Sequence, residues 1–96
     1  MTGTVRYEFR LFVAGDAMNS LQAIANLRAL CKEYLPDSHT AEIVDVFREP
    51  ARALADGVFM TPTLITLGPL PGRRIVGTLS QLQVVLQALG LAGMPA

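Results

Sequence analysis

The sequence has one cysteine, Cys31, one histidine, His39, and no tryptophan. A single thiol forms no internal disulfide, and one histidine beside one cysteine makes no zinc site. No apolar run reaches the roughly 18–20 residues that span a bilayer. The opening residues show no basic region followed by an apolar one, so neither a membrane helix nor a signal peptide is expected. Acidic residues are missing from the back half: all eight lie at or before Asp56, and the only charges after it are Arg73 and Arg74. Net charge is zero, which excludes the broad basic surface that nucleic acid or an anionic membrane would require. The expectation is a cytoplasmic chain without metal, cofactor or disulfide. Its apolar, faintly basic back half suits a protein partner wherever it is exposed.

What is present is a core. The chain has 96 residues, 51% of them hydrophobic and 17% charged, the reverse of a disordered composition. That length fits one domain, residues 1–96, with no repeat or linker. "VRYEFRLFVAG" alternates and then ends apolar, as a central strand does. Gly15 and Asp16 break it, and Asn19 or Ser20 is expected to cap the next helix. Leu21, Ile24, Leu27, Cys31 and Tyr34 recur at helical spacing, and Pro36 with Asp37 ends the run. "AEIVDVF" reads as a second strand. "REPARALADG" is a short helix with Pro50 in its first turn and Gly57 after its end. "TLITL" and "RRIVG" are strands joined by the turn "GPLPG". A last helix, expected to be capped by Ser80, carries Leu82, Val85, Leu86 and Leu89 and ends near Gly90. The order βαβαββα predicts a parallel first pair, an antiparallel hairpin and a thioredoxin-like mixed sheet.

Thr61-Pro62-Thr63 is the most specific local signal. A proline directly before a strand is a candidate for a cis bond, and the loop would lie beside the start of the first helix. There a redox protein would carry two cysteines, but this chain reads Ala17-Met18-Asn19-Ser20. Ser20 is no substitute nucleophile without a nearby base, and His39 belongs elsewhere. Cys31 sits several turns into the first helix on its apolar stripe, which predicts a buried thiol rather than a reactive one. Asp45 and Asp56 fit solvated element ends. Arg73 and Arg74 either pair with acidic groups of a partner or blunt an edge strand. Met18, Met60 and Met94 fill core by default, or form an adaptable surface.

Three separated stretches resemble the KaiB family of the bacterial circadian clock, in the right order and over roughly residues 10–89. "RLFVAGDAMNSL" is similar to that family's opening. "EIVDVFREP" is similar to its second-strand segment, and "TPTLITLGPLPGRRIVGTLS" to its hairpin and following turn. The resemblance implies a non-enzymatic, metamorphic interaction protein with two packings of one sequence. One is a thioredoxin-like form that binds the ATPase KaiC, and the other is a tetrameric ground-state fold. The binding-competent fraction then scales the apparent affinity.

The hinge implied by the resemblance is Gly77, Thr78, Leu79 and Ser80. The implied partner surface is Thr61, Pro62 and Thr63, the hairpin with Arg73 and Arg74, and the second-strand edge around Glu42. Basic family positions are replaced by Gln22, Glu42, Gly57 and Thr66, and Thr78 stands where clock members have Asp. Glu42 reverses a charge on the edge that engages KaiA, so KaiA is disfavoured as a partner. A clock histidine kinase is a further implied partner. The acidic tail of clock members has no counterpart in "GLAGMPA". Local patterns all agree with the thioredoxin-like form, which predicts that state, as a monomer, at rest. The competing expectations are a stress or signalling module with another partner, and a redox protein using Cys31 alone.

Overall fold

A computed structural model describes residues 6–69 and 71–91. The elements run β1 (Tyr7–Val13), α1 (Met18–Tyr34), β2 (His39–Asp45), α2 (Pro50–Ala55), β3 (Thr63–Gly68), β4 (Arg74–Val76) and α3 (Leu82–Ala88). The sheet order is β2-β1-β3-β4. β1 pairs parallel with β2 from Tyr7↔His39 to Val13↔Asp45, and β3 lies antiparallel to both β1 and β4. This is the mixed sheet that the order of elements predicts.

The apolar end of β1 has a direct cause, because both of its faces are buried. Phe9, Leu11 and Val13 join Leu64 against Ala23, Leu27, Leu30 and Cys31 of α1 and Val85, Leu86 and Leu89 near α3. Phe12, turned to the opposite face, meets Val44, Ile65, Ala53 of α2 and Val58. Period-two alternation therefore divides the strand between two cores. α2 has only six residues, so it covers part of that second face.

Both short helices end as their glycines require. Gly57 and Gly90 have φ of 66° and 77°. Val58 N–H reaches Ala53 O and Gly57 N–H reaches Leu54 O; Leu91 N–H reaches Leu86 O and Gly90 N–H reaches Gln87 O. These are Schellman closures.

The helix starts differ from expectation. α1 begins at Met18 with Ala17 in the cap position and no side-chain cap. Ser20 therefore falls inside the first turn, buried, and its Oγ accepts the Ala14 N–H at 3.0 Å. Asn19 likewise lies inside the helix. Ser80 does not cap α3, whose cap position is Gln81; its Oγ accepts the Thr78 hydroxyl at 3.1 Å. The inward stripes shift accordingly. Leu21 and Leu82 lie at the surface, while Ser20, Ala23 and Leu30 face inward with Leu27 and Cys31.

Candidate functional site: an exposed apolar rim

β1 and β2 run in the same direction and β3 begins where they end, so three loops converge at one end of the sheet. Among the described residues, the large exposed apolar side chains of those loops are Phe47 after β2, and Phe59 and Met60 before β3. They are 75%, 88% and 61% exposed. All three line one groove of about 240 Å³ with Ala14, Val46 and Val58. Phe59 and Met60 also border a second groove of about 130 Å³, shared with Arg74 and Val76 of β4. Met18, at the start of α1, is also exposed. Met18 and Met60 are thus surface residues rather than core filling, whereas Met94 lies outside the described residues.

The rim is held from below. Thr61–Pro62 is a cis peptide. Pro62 and Thr63 are buried, the Thr63 hydroxyl donates to Met60 O, and Pro62 O accepts the Gly77 N–H. These two residues position the loop, while its outer surface belongs to Phe59 and Met60. On the other side, Asp45 Oδ1 accepts the N–H groups of Gly15 and Phe47 at 3.2 and 2.9 Å. Asp45 is therefore not a merely solvated strand end, because it ties two rim loops together. Gly15 has φ of 53°, and a Cβ there would come 3.3 Å from the Phe47 ring.

Charged residues expected at a partner surface are engaged within the chain. Glu42 accepts a bidentate pair from Arg52 at 2.6 and 2.8 Å and a third bond from Arg10 at 3.1 Å. The Arg52 guanidinium, with Arg10 beside it, holds the Glu42 carboxyl at about 2, below the usual carboxylate range. The Glu42 charge on β2 is thus balanced from β1 and α2. Asp56 is paired as well, accepting from Arg10 at 2.9 Å.

Arg73 and Arg74, adjacent on the hairpin, reach opposite helices. Arg73 donates to Ala88 O of α3 at 3.1 Å. Arg74 donates to Gly57 O at 3.2 Å and to Asp56 O, just past α2. Successive residues in extended chain point to opposite faces, so each guanidinium satisfies a carbonyl left open at a helix end. In the free chain both guanidiniums are thus held by the protein's own carbonyls.

The segment from Gly77 to Ser80 forms the turn from β4 to α3. Gly77 has φ of 117° and Leu79 of 64°; Leu79 is buried in the core that α1 and α3 share. Asn26 of α1 donates to Thr78 O at 2.8 Å. A groove of about 300 Å³ lies against this turn, bordered by Ile75, Val76, Val84 and Val85.

The candidate nucleophiles named from the sequence are each placed by the fold. Ser20 spends its lone pair on a backbone N–H. His39 begins β2, opposite Tyr7, about 20 Å of strand away from the rim. Cys31 is buried, and desolvation pushes its thiol up to about 11, so it stays protonated at neutral pH. Among the described residues no group of three or more His, Cys, Asp or Glu side chains could hold a metal ion. No helix among them is long and apolar enough to cross a membrane.

Phe47 and Phe59 were missed by periodicity, which addresses helices and strands and says nothing about a loop. The available signal was position: Phe59-Met60 lies between the helix-ending Gly57 and the start of β3, where no repeat requires an apolar side chain.

Residues 10–91 match the KaiB domain family model. Circadian clock protein KaiB3 of Synechocystis sp. is 41% identical over 86 residues, covering 90% of this chain and 84% of that protein. Circadian clock oscillator protein KaiB of Synechococcus elongatus is 36% identical over 85 residues, covering 88% and 83%. Among solved structures, the N-terminal domain of Synechococcus elongatus SasA superposes with a TM-score of 0.73 at 15% identity, covering all of this chain and 94% of that one. The germline-specific thioredoxin Deadhead of Drosophila melanogaster gives 0.72 at 14% identity, covering 91% and 82%. At those identities the likeness is one of fold, and the fold is thioredoxin-like.

Proposed function

The chain belongs to the KaiB family, and we propose that it is a non-catalytic docking module that binds a KaiC-type ATPase through the apolar rim. The observation that carries this reading is the exposed set Phe47, Phe59 and Met60, gathered at one end of the sheet. Exposed apolar patches on a small protein mark interaction sites, and aromatic and Met side chains are the types enriched in interface cores. The absence of a usable nucleophile among Ser20, Cys31 and His39 favours binding over redox chemistry.

The docking state on this reading is the thioredoxin-like one, as a monomer. Thr61, Pro62 and Thr63 set the loop height, Phe47, Phe59 and Met60 make contact, and Arg73 and Arg74 brace the hairpin. Gly77–Ser80 is the hinge for any exchange with a second packing. Its support is Leu79, a non-glycine residue in the left-handed region, which costs about 1–2 kcal/mol and is offset by burial of its side chain. KaiA is disfavoured, because Glu42 stands on the β2 edge already bound to Arg52 and Arg10. Co-sedimentation of the chain with the cognate KaiC-type ATPase, with ATP, with ADP and without nucleotide, tests the proposal. Capture in at least one nucleotide state is expected, and no capture in any state refutes it.

A further inference from the structure

β4 is the outermost strand on its side of the sheet. Its ladder to β3 includes Thr66 N–H to Arg73 O and Gly77 N–H to Pro62 O, with Leu64 opposite Ile75 between them. Hydrogen-bonded pairs alternate along an antiparallel ladder. Arg73, Ile75 and Gly77 therefore point their backbone groups at β3, and Arg74 and Val76 point theirs outward. The side chains of Arg74 and Val76 line the groove that holds Val58, Phe59 and Met60. Arg10 and Arg52 take the carboxylates of Glu42, Glu49 and Asp56. Arg74 donates to backbone carbonyls, so among the described residues it is a positioned cation with no carboxylate within ion-pair distance.

We propose that this edge receives an extended segment of a partner protein, paired on the outward groups of Arg74 and Val76, with alternate apolar side chains in the groove and a carboxylate at Arg74. Strand addition takes its affinity from backbone bonds and its selectivity from pockets for every second side chain, and both parts of that arrangement are present here. A second copy of this chain is a poor occupant. Its own β4 would bring a second Arg74 and no carboxylate, since no acidic residue follows Asp56, and like charges across paired strands repel. The proposal deepens the docking reading by naming the chemistry of the partner segment.

The test titrates the ¹⁵N-labelled full chain with a blocked seven-residue peptide of alternating leucine and valine around one glutamate. Two further probes are the same peptide with lysine at the centre and the same peptide N-methylated on the pairing amides. Resonance shifts at Val58–Met60 and Arg74–Val76 are expected. The glutamate peptide should bind about two- to fivefold more tightly than the lysine peptide, as an exposed ion pair allows, and N-methylation should abolish binding. Arg74→Gln should erase the glutamate preference while leaving the backbone-dependent binding. Equal affinity for glutamate and lysine, shifts confined to the β2 edge, no shifts at millimolar peptide, or self-association of the chain would each overturn the proposal. The probe is synthetic, so failure here leaves the ATPase co-sedimentation to decide the docking reading separately.

Discussion

Phe12 and Phe59 are the same residue type in opposite surroundings, and truncating each separates folding from docking. Phe12 is fully buried between β1, Val44, Ile65 and α2. Phe12→Ala should cost about 3–5 kcal/mol, transfer plus cavity. Against a total of about 5–15 kcal/mol for a domain of this size, that is a large share, and at about 4–8 °C per kcal/mol the melting point falls by at least 12 °C. Phe59 is 88% exposed, so Phe59→Ala removes almost no folded contact, and its stability should stay within about 0.5 kcal/mol of the parent. If a partner covers the ring, the lost burial is about 1.5–3 kcal/mol, or roughly 10- to 150-fold in affinity for the ATPase. Urea denaturation followed by circular dichroism reads the first quantity, and fluorescence anisotropy of a labelled chain reads the second. Ile65→Val serves as a milder core control, at about 0.5–1.5 kcal/mol. Two results would refute the reasoning: Phe59→Ala destabilising by more than 1 kcal/mol, or Phe59→Ala binding the ATPase as tightly as the parent.

The Glu42 carboxyl is held at about 2 against an ordinary 4.5. Its stabilisation is therefore complete above pH 4.5 and lost as pH falls through about 2; Glu42→Gln should flatten the stability-versus-pH curve in that window, measured by urea midpoints at each pH. Cys31 should resist an aromatic disulfide reagent in the native chain and react on adding denaturant, and Cys31→Ser should destabilise by about 1–3 kcal/mol by burying a hydroxyl among apolar side chains. Arg73→Ala should speed amide exchange at the end of α3 and leave α2 unchanged, while Arg74→Ala should do the reverse. Each loses about 0.3–1 kcal/mol of helix-end stabilisation, and equal effects on both helices would contradict the two-sided arrangement.

Features governed by short-range rules were legible in the sequence. The all-apolar end of β1, Pro50 opening α2, and Gly57 and Gly90 closing their helices each depend on a few neighbours, and the structure agrees with them. Helix starts were less legible. Ser20 and Ser80 look like caps locally, but the path of the loops places them inside a turn or short of one, and their hydroxyls serve other backbone and side-chain groups. The charge network was not legible at all. Glu42 meets Arg10 and Arg52 only because β2 lies beside β1 and beneath α2, and no spacing rule joins those positions. The same holds for Arg73 and Arg74, whose partners depend on which helix each face of the sheet carries. At the candidate site, Thr61-Pro62-Thr63 marked the loop, but the exposed aromatic residues of the rim, Phe47 and Phe59, carry no periodic signal.

The most direct test is amide hydrogen exchange of the full chain, free and saturated with the cognate KaiC-type ATPase. Slowed exchange is expected at Phe47–Arg48, at Gly57–Thr61 and along Arg74–Val76. Exchange along Leu82–Ala88 and the β2 edge should be the same in both samples. Protection confined to β2, or no protection at the rim under saturating partner, would contradict the assignment of the apolar rim as the docking surface.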